Sequence, residues 1–96
     1  MRKIEERMVC AVRNMKNFRE DNTEVKKYKN VTAVYLHGNL IFERFDDGSR
    51  FFTLAGWNTP TTRSRLNALG VKVCQRNFSP IYEGKEIDSN KWYEVL

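Results

Sequence analysis

Apolar residues recur at Ile4, Met8, Ala11, Val12, Met15 and Phe18, a spacing of three to four that marks a helix. At about 100° per residue they form a stripe about 120° wide, with Arg2, Lys3, Glu6, Arg7, Arg13 and Asn14 on the other side. The pattern predicts an amphipathic helix that buries its stripe and ends near Asn17. A membrane-surface helix wants a polar face dominated by lysine and arginine, whereas Glu5 and Glu6 dilute the charge here. Phe18 to Asn22 reads as a loop.

From Thr23 the period changes to two. Thr23 to Tyr28 predicts an edge strand, because Lys26, Lys27 and Lys29 are of the kind that discourages pairing with another chain. Val31 to Leu36 predicts the next strand, and His37-Gly38-Asn39 a tight connection. Leu40 to Phe45 alternates, with Ile41, Glu43 and Phe45 on one face and Leu40, Phe42 and Arg44 on the other. Asp46-Asp47-Gly48-Ser49 is a hairpin turn, since Asp-Gly accepts the positive φ that such turns require, and Arg50 to Leu54 returns.

A second helix follows. Asn58 or Thr59 caps it, Pro60 occupies its first turn and Gly70 ends it. Thr62, Leu66 and Leu69 share the face expected to pack on the sheet. Arg63, Ser64 and Asn67 face away, and Arg65 lies on the border. Val71 to Gln75, Ile81-Tyr82 and Trp92 to Val95 read as short strands. The expected architecture is α+β, with two helices packed on a mainly antiparallel sheet of about five or six strands. The expected organisation is a single domain over residues 1–96, a length that suits one core.

Charge changes this picture. The net charge is +5, and the stretch from Gly48 to Tyr82 contains no acid while holding Arg50, Arg63, Arg65, Lys72 and Arg76. A basic field of this kind favours polyanionic partners, whether nucleic acid, an acidic protein surface or anionic lipid. It also excludes a DNA mimic, which would be strongly acidic. The sequence from Met1 to Arg7 lacks the unbroken apolar core of a signal peptide, and no run reaches the ~20 apolar residues of a membrane span. The expectation is a cytoplasmic protein that engages no membrane, with Cys10 and Cys74 as free thiols.

Candidate chemistry is sparse. One histidine and two widely separated cysteines match no zinc spacing, so no metal and no cofactor are expected. His37 reads as a turn residue, and the adjacent Asp46 and Asp47 point in different directions, away from paired-carboxylate work. No phosphate-binding loop, dinucleotide fingerprint or nucleophile elbow is present, so an enzyme is not expected. The start of the second helix is more informative. Pro60-Thr61-Thr62-Arg63 carries no acid to offset the partial positive charge of a helix N-terminus. Such an end, with hydroxyls and a nearby arginine, is suited to a phosphate or carboxylate; the alternative is that Thr59 simply caps the helix and Arg63 is solvated. Phe51, Phe52, Trp57, Phe78 and Tyr82 interleave with the bases, as in single-strand binding surfaces. No established nucleic-acid-reading motif accompanies them.

The run Gly56-Trp57-x-Thr59-x-Thr61-Thr62-x-Ser64-Arg65-Leu66-Asn67-Ala68-Leu69 resembles a motif of small uncharacterised tailed-bacteriophage proteins. His37-Gly38-Asn39-Leu40-Ile41 resembles a second shared piece, and the amphipathic first helix is similar too. The resemblance lapses after Gly70. It implies a phage origin and action in the cytoplasm of an infected bacterial host, and it carries no activity with it.

Two functions from different classes fit. One is a stoichiometric inhibitor or modulator that binds a host protein or protein–nucleic-acid complex of the nucleic-acid or defence machinery. The other is a direct, sequence-nonspecific nucleic-acid-binding protein serving replication or packaging. A structural subunit of an oligomer is a third, blander reading. The expected functional surface is Trp57, Thr59, Thr61, Arg63, Arg65 and Asn67, extended by Arg50 and Arg76. Trp57 is the expected anchor and the arginines the expected anion contacts.

Overall fold

The computed structural model describes residues 1–96. The first helix, α1 (Lys3–Arg13), buries Met8, Ala11 and Val12 as its stripe requires. It stops four residues before the expected end. The Lys16 amide donates to the Ala11 carbonyl and the Met15 amide to that of Val12, while Met15 takes the left-handed conformation at φ 53°. This is a Schellman closure, which usually recruits glycine. Because methionine performs it here, the sequence carries no stop signal. The residues after it do not form a loop throughout. Phe18–Glu20 is a short strand, β1, which turns at Asp21-Asn22 into β2 (Thr23–Tyr28).

Strand β2 pairs on both sides, with β1 and with β3 (Val31–Leu36), so it is not the sheet edge along its whole length. Strand β1 covers only Thr23 to Val25. The lysine half of β2 runs past the end of β1, and the Lys27 amide is met there by the Asn17 side chain instead of a strand. The expected lysine-guarded edge therefore survives over half the strand.

Strand β4 (Asn39–Phe45) pairs with β3 through a bulge: Val34 faces Phe42, but Tyr35 faces Leu40. The extra residue is Ile41. It breaks the alternation, so Ile41 and Phe42, expected on opposite faces, are both buried in the same apolar cluster. Strand β5 (Arg50–Phe52) returns after the hairpin, where Gly48 has φ 93° and the Asp47 carboxylate accepts from the Ser49 amide and hydroxyl. The second helix, α2 (Pro60–Ala68), is capped by Thr59, and Gly70 at φ 90° ends it with the same closure as α1. The Val71 amide reaches the Leu66 carbonyl there, and both side chains are fully buried.

The strands after α2 divide. β6 (Val73–Arg76), β7 (Ser79–Tyr82) and β8 (Lys85–Glu86) form a separate three-stranded antiparallel sheet. β9 (Tyr93–Glu94) crosses back to pair with β5, completing a six-stranded antiparallel sheet in the order β1-β2-β3-β4-β5-β9. Tyr82 joins the two sheets by packing edge-on against Phe52 at 4.8 Å. Val25, Val34, Phe42 and Phe52 of the large sheet meet Met8 and Val12 of α1, Leu66 of α2 and Val73 of the small sheet in one cluster. The fold is α+β: two helices and the small sheet pack on one face of the large sheet.

Candidate functional site

Two turns build the cleft at the start of α2. His37 (φ 52°) and Gly38 (φ 80°) form a two-residue connection of the kind with both central residues left-handed. The His37 amide is pinned to the Asn22 carbonyl at 2.8 Å. Opposite it, Ala55 and Gly56 turn left-handed after β5. The left-handed backbone at Gly56 favours glycine, and a Cβ there would displace the Asn90 side chain, whose Oδ1 would lie 2.8 Å away. This turn directs Trp57 outward, leaving it 58% exposed.

Between the turns lies a cleft of about 470 Å³. Leu36, Ile41 and Leu54, all buried, form its floor. Thr59, Thr61 and Thr62 line one side, His37 and Asn39 the other, and Trp57 stands at the rim. The bulge at Ile41 supplies part of that floor. No carboxylate, lysine or arginine lines the cleft. Its chemistry is therefore apolar at the base and neutral-polar around the edge, which favours an apolar or aromatic side chain over a phosphate.

At the helix start that flanks the cleft, Thr59 meets the Thr62 and Arg63 amides. Thr59 Oγ1 accepts from the Thr62 amide at 3.2 Å and lies 2.9 Å from Thr62 Oγ1. Thr59→Ala should cost about 1 kcal/mol of stability through loss of this cap, and Thr59→Ser should restore most of it. Urea unfolding of the two variants measures the difference; equal midpoints would contradict the capping role.

The remaining expected site residues are dispersed. Arg63 is half-buried and donates to the side chains of Asn58 and Gln75, tying the start of α2 to β6. Asn67 donates to the Arg63 and Val73 carbonyls, fastening α2 to the chain that follows it. Arg65 is not on the border of the helix but 3% exposed, paired with Glu5 of α1 at 2.8 Å. Ser64, expected to face away, donates to the same carboxylate. Arg76 is exposed on the small sheet, and Arg50 lies beside the C-terminal end of α2, at the far end from the cleft. The acid-free stretch thus does not offer its arginines as one surface around Trp57.

Trp57, Thr59 and Thr61 come together as expected, joined by Leu36, His37, Asn39, Ile41 and Leu54. The signal for these additional residues was the second shared piece, His37 to Ile41. Its contact with the first required knowledge of which strand α2 would cross. No three of the histidine, cysteine, aspartate and glutamate side chains gather in a group able to hold a metal ion. No helix is long and apolar enough to cross a membrane.

No curated protein and no solved structure matches the chain. The family described as Kyanoviridae Gp96 protein matches residues 1–95, spanning both halves of the cleft and also the part after Gly70, where the motif resemblance lapsed. The chain belongs to this phage protein family.

Proposed function

We propose that this phage protein works by stoichiometric binding to a host protein, seating an apolar or aromatic side chain of its partner in the cleft beneath Trp57. The observation that carries this reading is the cleft itself, with a half-exposed tryptophan over a buried apolar floor and a neutral rim of threonine, asparagine and histidine. Tryptophan beside a desolvated pocket is the arrangement that concentrates binding energy at protein interfaces. The volume of about 470 Å³ suits one or two side chains and lies within the range of established ligand pockets.

On this reading the protein is not an enzyme and needs no cofactor. Neither cysteine lines the cleft, and the Thr59 and Thr62 hydroxyls there bond to each other and not to the His37 ring. Its action is to occupy a surface of host nucleic-acid or defence machinery in the infected bacterial cytoplasm. The tagged protein, incubated with nuclease-treated host lysate, should retain one host protein at near-equal stoichiometry. Recovery of no enriched protein would contradict the proposal. A direct nucleic-acid role is favoured by a different feature, a cluster of arginines at the other end of α2.

A further inference from the structure

We propose that a second cleft, ringed by Arg13, Arg44 and Arg50, binds the phosphates of a nucleic-acid backbone. It is independent of the Trp57 cleft and shares no residue with it. Three elements bring the arginines together. Arg13 is the last residue of α1, while Arg44 of β4 and Arg50 of β5 are directly opposite each other in the sheet register. Both strand residues share the face of Phe42 and Phe52, the face that the helices cover. The C-terminal end of α2, Ala68 to Gly70, closes the cleft, whose volume is about 390 Å³.

None of the three guanidinium groups has an acceptor within the chain. The side-chain ion pairs are Arg7–Glu20, Lys27–Asp46 and Arg65–Glu5, and the arginine side chains that form hydrogen bonds are those of Arg7, Arg63 and Arg65. Like charges directly opposite across two strands are destabilising. Here a third charge is added from the helix above. The two helix C-termini offset part of this, but each amounts to only about half a negative charge. Together they cancel about one of the three positive charges, leaving a surplus of about two. A guanidinium fork matches phosphate oxygens two at a time, so a cleft with donors and surplus charge on several sides fits a phosphate better than a single carboxylate.

The rest of the cleft narrows the ligand further. Its apolar residues are Val9, Val12, Phe42, Ala68 and Leu69, and Phe42 is 1% exposed. No aromatic face is presented for a base to stack on. Contact is therefore with the backbone and indifferent to sequence, and the net charge of +5 assists encounter.

Fluorescence anisotropy of labelled single-stranded and duplex 20-mers tests this, titrated at about 50 and 200 mM salt. The wild-type protein should bind in the micromolar range at the lower salt and weaken steeply at the higher. The double variant Arg44→Ala/Arg50→Ala should bind more weakly, with a salt slope smaller by about two. Arg13→Ala, on the exposed end of α1, removes one contact without disturbing the sheet and should lower the slope by about one. Circular dichroism confirms that each variant is folded; if the double variant is not, Arg13→Ala decides alone. Absence of wild-type binding at the lower salt would overturn the proposal, as would folded variants that titrate like wild type. Displacement of the oligonucleotide by millimolar inorganic phosphate at constant ionic strength would overturn the backbone assignment in favour of a free-anion site.

Discussion

Arg65→Ala is expected to destabilise the fold by about 3–5 kcal/mol, because it strands a buried carboxylate. Glu5 and Arg65 are each 3% exposed. Arg65 Nη1 donates to Glu5 Oε2 at 2.8 Å, Nε to Thr23 Oγ1 at 3.0 Å and Nη2 to Asn22 Oδ1 at 3.2 Å. Ser64 Oγ donates to the same Glu5 oxygen. One network therefore joins α1, α2 and the β1–β2 turn. Burial pushes the Glu5 carboxyl up, but the Ser64 and Arg65 hydrogen bonds and the Arg65 charge together outweigh it and hold the group below its usual value. The sign of the pH dependence follows. A carboxyl lowered in the folded state contributes stability that is full above its unfolded value, here taken as 4.5, and is lost as pH falls through the folded value.

Urea unfolding across pH 3 to 7 checks both statements. In Arg65→Ala the carboxyl loses its charge partner and burial pushes it up, so its acid-dependent loss of stability should shrink or reverse, and the cost of the variant should be largest near pH 7 and smaller near pH 3. The paired change Glu5→Leu with Arg65→Met leaves no orphaned charge and should cost far less than Arg65→Ala alone. A single-variant loss below about 1 kcal/mol would show that the pair is not the buried network described.

Trp57→Ala is expected to weaken binding of the retained host protein by about 30- to 1,000-fold, corresponding to about 2–4 kcal/mol. The fold should hardly register the change, because Trp57 is 58% exposed and surface substitutions usually fall within about 0.5 kcal/mol. Isothermal titration of the purified pair gives the first quantity and thermal unfolding the second. Lost affinity with an unchanged melting temperature separates a binding anchor from a packing residue. A parallel loss of both would assign Trp57 to packing, and unchanged affinity would remove it from the interface.

The regular parts of this fold were legible because local chemistry dictates them. The Asp47-Gly48 turn, the Pro60-to-Gly70 helix and the strands Thr23–Tyr28 and Val31–Leu36 each carry a propensity or stop signal within a few residues. Elements set by unusual residues were not. Met15 closes α1 in a conformation that favours glycine, so the stripe seemed to run on to Phe18. Ile41 enters the core through a bulge that no alternation rule anticipates. The division of the C-terminal strands into a separate sheet depends on long-range pairing, with β9 returning to β5 across the whole of α2 and the small sheet.

The candidate site divides in the same way. That Trp57, Thr59 and Thr61 lie together was legible because a turn and a helix start are local features. Arg65 was misplaced because its partner, Glu5, is remote in sequence and faces it only after both helices have docked. A helical wheel placed Arg65 at a boundary; packing decided on which side of that boundary it fell. The pairing of Arg50 with Arg44 required strand register, and their meeting with Arg13 required the helix position above them.

Docking of a host protein in the cleft under Trp57 has a direct signature in solution. Amide chemical shifts of the isotope-labelled protein, followed while the retained host protein is titrated in, test it most directly. Docking there should concentrate the perturbations at Leu36 to Ile41 and Trp57 to Thr62, with the Trp57 indole N–H among the largest. Perturbations confined instead to the opposite face of the large sheet, around Tyr28, Tyr35, Phe45 and Phe51, would contradict it.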